Sequence, residues 1–136
     1  MEYTVKSGSP EKQRIGCVVA AVYAPRTLST AAKTLDKASG GLISNLIRRG
    51  ELEGDLGGTL LLHNVENTLS DRVLLIGCGK EKEINTRAFR KINSAMAATL
   101  KSSGTTEVAS YLTEIPVKRK SLSWKIQQSI EAIDET

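Results

Sequence analysis

Two kinds of hydrophobic pattern alternate along the chain. Ile15-Gly16-Cys17-Val18-Val19-Ala20-Ala21-Val22 is an unbroken apolar run rich in β-branched residues, and continuous rather than alternating patterning predicts a strand buried on both faces. Pro25 closes it, because proline has no amide to give a central ladder. Thr59-Leu60-Leu61-Leu62-His63 and Val73-Leu74-Leu75-Ile76 predict two further buried strands. The polar stretch between them is short enough to make them neighbours. Tyr3-Thr4-Val5, which alternates weakly, can pair as a short strand, and Val108-Ala109-Ser110-Tyr111-Leu112 predicts another strand.

Between these runs the period changes to that of a helix. Leu28, Ala31, Ala32 and Leu35 share one side of a segment that Ser29 or Thr30 can cap and that runs to about Lys37. Ser39-Gly40-Gly41 breaks it, and Leu42, Ile43, Leu46 and Ile47 predict a second short helix ending at Gly50. From Thr86 to about Ser102, Ala88, Phe89, Ile92, Ala95, Met96, Ala98, Thr99 and Leu100 predict a long amphipathic helix, with Asn85 or Thr86 as cap and Gly104 as stop. Leu122, Ile126, Ile130 and Ile133 predict a closing helix over Ser121 to Glu135. Glu51 to Gly58, with Gly54, Gly57 and Gly58 among acidic residues, reads as a turn-rich surface connection. Strands followed by helices predict an α/β layered domain.

Composition sharpens this picture without naming a chemistry. A chain of 136 residues, 40% hydrophobic and 25% charged, predicts one domain, residues 1–136, around one core. No apolar run approaches a membrane span and Met1-Glu2-Tyr3-Thr4 lacks a secretory n-region, so a cytoplasmic protein is expected. The closing helix runs almost to Thr136, so a longer parent is expected. Cys17 and Cys78 form no CxxC pair and no cluster with His63, which speaks against a disulfide framework or a zinc site and for reduced, packed thiols. Cys78 lies beside a turn and Lys80, a neighbourhood that could lower its pKa. The net charge of +4 leaves polyanions among the candidate partners.

The stretch Arg72-Val73-Leu74-Leu75-Ile76-Gly77-Cys78-Gly79-Lys80 sets a glycine turn straight after a strand. A dinucleotide loop needs GxGxxG, but the third glycine position is Lys82; a phosphate loop of the GxxxxGK[ST] type needs Ser or Thr where Glu81 stands. Glu81 and Glu83 would repel phosphate, so a structural turn is expected. Nucleophilic hydrolysis needs a positioned base, and His63, the sole histidine, ends a strand where a partly buried, hydrogen-bonded role is expected. Glu51, Glu53 and Asp55 read as solvated loop charges without the ladder of a calcium site. No catalytic constellation can be assembled from these residues.

Taken together, MEYTVKSGSPEKQR, RRGELEGDLGGTLLLHNV, RVLLIGCGKEKEI and SWKIQQSIEAIDET resemble the N-terminal domain of bacterial leucyl aminopeptidases, or cytosol aminopeptidases, of the aminopeptidase A type. The resemblance covers essentially the whole chain, and the middle two segments are its most specific parts. It implies a macro-domain-like fold: three layers, α/β/α, with a mixed, mostly parallel sheet between helices. It implies a cytoplasmic enzyme that assembles as a homo-hexamer and removes N-terminal residues from peptides. Two divalent metal ions, manganese or zinc, would sit in a C-terminal catalytic domain, where such a pair activates a bridging water. The family's NTDAEGR-like metal signature is absent here, so no catalytic or metal-binding residue carries over and this chain alone is expected to be inactive. Some aminopeptidases A bind DNA in site-specific recombination and transcriptional control. That makes duplex DNA a candidate partner, with Arg48, Arg49, Lys118, Arg119 and Lys120 as phosphate contacts; ordinary surface charge is the plainer account of each. The macro-like fold keeps a rival open, a module binding ADP-ribose or another nucleotide.

Overall fold

The structure, a computed structural model, describes residues 2–5 and 8–136. Its strands are β1 (Glu2–Val5), β2 (Cys17–Tyr23), β3 (Thr27–Leu28), β4 (Thr59–His63), β5 (Arg72–Gly77) and β6 (Glu107–Ser110). Its helices are α1 (Thr30–Ala38), α2 (Leu42–Arg48), α3 (Thr86–Ser103) and α4 (Leu122–Glu135). The sheet runs β1-β6-β2-β5-β4, with the short β3 folded back on the end of β2. The β1/β6, β6/β2 and β2/β5 pairs are parallel, and β4 is antiparallel to β5.

The layering follows from the order of the strands. The path from β2 to β5 moves one way across the sheet and carries α1 and α2; the path from β5 to β6 crosses back over β2 and carries α3. Parallel crossovers are right-handed, so the reversal puts the two helix pairs on opposite faces. Cys17, Val19, Ala21, Leu74 and Ile76 pack with Phe89, Ile92, Met96 and Leu100 of α3. Val18, Ala20, Val22, Val73 and Leu75 pack with Ala31, Ala32, Leu35, Ile43 and Ile47. This double coverage is why β2 and β5 read as unbroken apolar runs. The three-layer, mixed, mostly parallel α/β architecture is the expected one.

Ser29, Asn85 and Gly104 fall where caps were expected, while Ser121, expected as the first helical residue, caps α4 from outside it. Ser29 accepts from the Ala32 amide, Asn85 from Ala88 and Ser121 from Trp124, and Gly104 ends α3 in the left-handed region at φ 74°.

Four expectations need correction. β4 is an edge strand with partly exposed leucines, not a buried one. β6 ends at Ser110, and Leu112 opens a 3-10 turn over Leu112–Glu114 because the Ser110 hydroxyl takes the Leu112 amide at 3.2 Å. In α3 it is Ala97 that is buried, while Ala98 is exposed. In α4 the buried residues are Gln128, Ser129 and Ala132, while Leu122 and Ile130 of the apolar stripe are exposed.

Candidate functional site

Open α/β sheets bind ligands beyond the carboxyl ends of their strands, where the strand order reverses. Here that point lies at the end of β2, between β5 and β6. The loop after α2 is seated on it. Arg26 N donates to Glu53 O at 2.9 Å, Gly79 N to Gly54 O at 2.8 Å, Gly77 N to Gly58 O at 2.7 Å, and Gly57 N to Gly77 O at 2.9 Å. The seat is close: a Cβ on Gly54 would stand 2.4 Å from Tyr23 O, and one on Gly77 2.1 Å from Asp55 O. With Cys78 N bonded to Val22 O at 3.0 Å, the amides of Gly77, Cys78 and Gly79 are all spent on protein carbonyls. None is left to face a phosphate, so the glycine turn is a structural joint.

What space remains at the reversal point is small and carries opposed charges. A cavity of about 160 Å³ is lined by Tyr23, Ser29, Lys33, Glu81 and Glu114, among others. Glu114 Oε1 accepts the Ala31 amide at 3.0 Å, so a carboxylate already occupies the amino end of α1, the position an anionic ligand would seek. Burial, helped by Glu81, Cys78 and Glu114, raises the Tyr23 phenol above its ordinary value. Tyr23 at the end of β2 and Glu81 and Glu114 in two separate connections converge here, and no local motif announces them.

The residues weighed for chemistry stand apart from one another. Burial pushes the Cys78 thiol up to about 12, against the lowering that Lys80 suggested, and Cys17 likewise to about 12. Both are free, buried thiols. His63 is the exposed last residue of the edge strand β4, not a partly buried one. Glu53 is more than a solvated charge: Arg26 holds it in a two-pronged pair, Nε to Oε2 at 2.8 Å and Nη2 to Oε1 at 2.7 Å.

All five candidate DNA contacts are exposed. Arg48 ends α2 and Arg49 caps it, a place where cations also suit the helix dipole. Lys118, Arg119 and Lys120 lie in the connection to α4, with Lys120 Nζ 5.1 Å from the Trp124 ring centre. Ile47 anchors the first group in the α1–α2 layer and Val117 the second in the α3–α4 layer. Both groups nevertheless sit at the carboxyl rim of the sheet. Gly50 approaches Arg26 and Glu53, and Lys118 lines a cleft with Glu81, Lys82 and Ile84. The structure thus brings the two groups to one rim but not into one cluster.

The sequence profile of the cytosol aminopeptidase family, N-terminal domain, matches residues 18–136. The chain belongs to the cytosol aminopeptidase family. A protein of Glaesserella parasuis serovar 5 (strain SH0165), described as a probable cytosol aminopeptidase, is 53% identical over 99% of this chain, which spans 27% of that protein.

Among solved structures, a tomato leucine aminopeptidase mutant superposes with a TM-score of 0.66 at 17% identity, over 98% of this chain and 26% of that one. The macrodomain of Mycobacterium tuberculosis DarG superposes at 0.71 and 10% identity, over 98% of this chain and 90% of that one. Thermosipho africanus DarTG, solved in complex with ADP-ribose, superposes at 0.59 and 13% identity, over 97% and 46%. At these identities the likeness is one of fold, and it agrees with the macro-domain-like architecture expected for this family domain.

Proposed function

We propose that this chain is the non-catalytic N-terminal domain of a cytoplasmic, metal-dependent aminopeptidase that removes N-terminal amino acids from peptides. Its partners would be its own C-terminal catalytic domain and further copies in a homo-hexamer. The match of residues 18–136 to the family's N-terminal domain carries the reading. The two divalent ions, manganese or zinc, belong in this reading to the catalytic domain. No step of hydrolysis is routed through this domain. Among the described residues no helix is long and apolar enough to cross a membrane. A leucine-anilide assay with added manganese tests the reading. Turnover is expected from the full-length protein and none from this chain; hydrolysis by the 136-residue chain would overturn it.

Duplex DNA is part of the same reading. The exposure of Arg48, Arg49, Lys118, Arg119 and Lys120 at one rim of the sheet suits contacts to phosphates.

A second reading, a module for ADP-ribose or another nucleotide, draws on the fold likeness to macrodomains. Against it stand the amides of Gly77, Cys78 and Gly79, already bonded to protein carbonyls, and the carboxylates of Glu81 and Glu114 at the crevice. Calorimetric titration with ADP-ribose is expected to give no heat of binding, and saturable heat would restore this reading.

A further inference from the structure

Helix α4 presents an apolar ridge outward. Leu122, Ile126 and Ile130 follow one another at i, i+4 and i+8, the row that packed helices use as a ridge. Leu122 is 57% and Ile130 38% exposed, and Ile126 is partly exposed. Ile126 belongs to neither core cluster, although Trp124 and Ile133 of the same helix pack on one of them. The face that α4 turns inward mixes Trp124, Ala132 and Ile133 with two polar side chains. Gln128 Oε1 accepts from Arg90 Nε at 2.9 Å, and the Ser129 hydroxyl donates to Asn93 Oδ1 at 2.5 Å. At about 100° per residue Leu122, Ile126 and Ile130 fan out from the edge of the buried side, and Ile130 stands farthest from it.

We propose that the Leu122–Ile126–Ile130 ridge is the docking surface for the polypeptide that follows this domain in the full-length protein, which lays an apolar surface of its own over it. The inference rests on the reading of the chain as an N-terminal domain. Most of the Glaesserella relative lies outside the matched region, since this chain spans 27% of it. Exposed Ser123 and Gln127 give the ridge a polar rim, the anatomy of a docking patch. Lys118, Arg119 and Lys120 precede the ridge and Glu131, Asp134 and Glu135 end it. That gradient fixes the direction of a partner with the opposite order of charge.

The test is thiol labelling of Leu122→Cys and, separately, Ile130→Cys, in the full-length protein and in this chain. Cys17 and Cys78 are buried and leave this chain a silent background, and the unsubstituted full-length protein labelled in parallel sets the background there. Maleimide labelling is expected to be at least about tenfold slower in the full-length protein, because a packed patch excludes water and reagent. A Lys37→Cys control on exposed α1 is expected to label equally in both. Equal rates at both ridge positions would overturn the proposal. So would protection in the 136-residue chain that grows with its concentration, which would give the ridge to a second copy. Leucine-anilide turnover by the same full-length variants reports separately on the enzyme reading. Turnover with an unprotected ridge removes the docking alone, and a protected ridge without turnover removes the enzyme reading alone.

Discussion

Gly77 and Asp55 meet backbone to backbone: a Cβ added to Gly77 would stand 2.1 Å from the carbonyl oxygen of Asp55 and 3.0 Å from the carbonyl carbon of Gly54. Both neighbours are main chain, so no side chain can swing aside, and the whole seated loop must move. Gly77→Ala is therefore expected to destabilise the domain by more than about 3 kcal/mol. Gly104→Ala meets nothing within 4 Å and strains only a φ of 74°, so it is expected to lose about 1–2 kcal/mol. Urea unfolding of the two variants side by side checks the ranking. Equal losses would mean that the loop does not rest on the strand end.

Much of this fold was legible because its local signals are strong. Cys17–Val22 and Val73–Ile76 read as central strands since helices cover both sheet faces, and Ser29 and Asn85 read as caps because each serves its own helix. The edge position of Thr59–His63 was not legible, as a run of leucines looks the same whether wholly or half covered. The inward face of α4 was hidden for the opposite reason. Gln128 and Ser129 are polar, and their partners Arg90 and Asn93 lie far away on α3. The crevice was the least visible feature. Tyr23, Glu81 and Glu114 meet only after the chain has crossed the sheet and returned, and the glycines at 54 and 77 make sense only as a pair.

The buried thiols make alkaline stability a test of the core. Cys17 and Cys78 rise from an ordinary 9.0 to about 12 because burial disfavours the thiolate. Their folded values exceed their unfolded ones, so their contribution is full below pH 9.0 and is lost as pH rises toward about 12. In that window the unfolded chain has released thiol protons that the folded chain still holds. Each thiol is expected to lower stability by up to about 1.4 kcal/mol per pH unit there. A Cys17→Ala/Cys78→Ala variant, though less stable at neutral pH, should show a shallower alkaline decline in urea titrations. An unchanged slope would place the lost protons on other groups, Tyr23 first.

The link between α3 and α4 depends on a polar pair in an apolar setting. Asn93 and Ser129 are both fully buried; Asn93 Nδ2 donates to Phe89 O at 2.9 Å while its Oδ1 accepts the Ser129 hydroxyl at 2.5 Å. Asn93→Ala removes both bonds and leaves Ser129 with the longer contact to Lys125 O at 3.3 Å. A loss of about 1–3 kcal/mol is expected. Adding Ser129→Ala should recover part of it, since the hydroxyl left with only the long Lys125 contact goes too. Strictly additive losses in thermal melts would show that the two side chains do not act as a unit.

The basic rim bears on whether DNA is a partner at all. Arg48 and Arg49 belong to the α1–α2 layer and Lys118, Arg119 and Lys120 to the α3–α4 layer, with the acidic Glu51–Gly58 loop seated at the strand ends. Two separated groups on one domain predict unequal roles rather than one continuous track. Each phosphate neutralised adds about 0.9 to the slope of log affinity against log salt. In the full-length protein, Lys118→Ala/Arg119→Ala/Lys120→Ala is expected to lower affinity for every duplex sequence alike and to reduce that slope by about 2–3. Arg48→Ala/Arg49→Ala tests the other layer independently, and its effect should add to the first, because the two groups are anchored on opposite faces of the sheet. Fluorescence anisotropy across a salt series measures both. If either variant binds with the wild-type slope, its group is solvated surface charge; if both do, any DNA contact of the full-length protein lies outside these two groups.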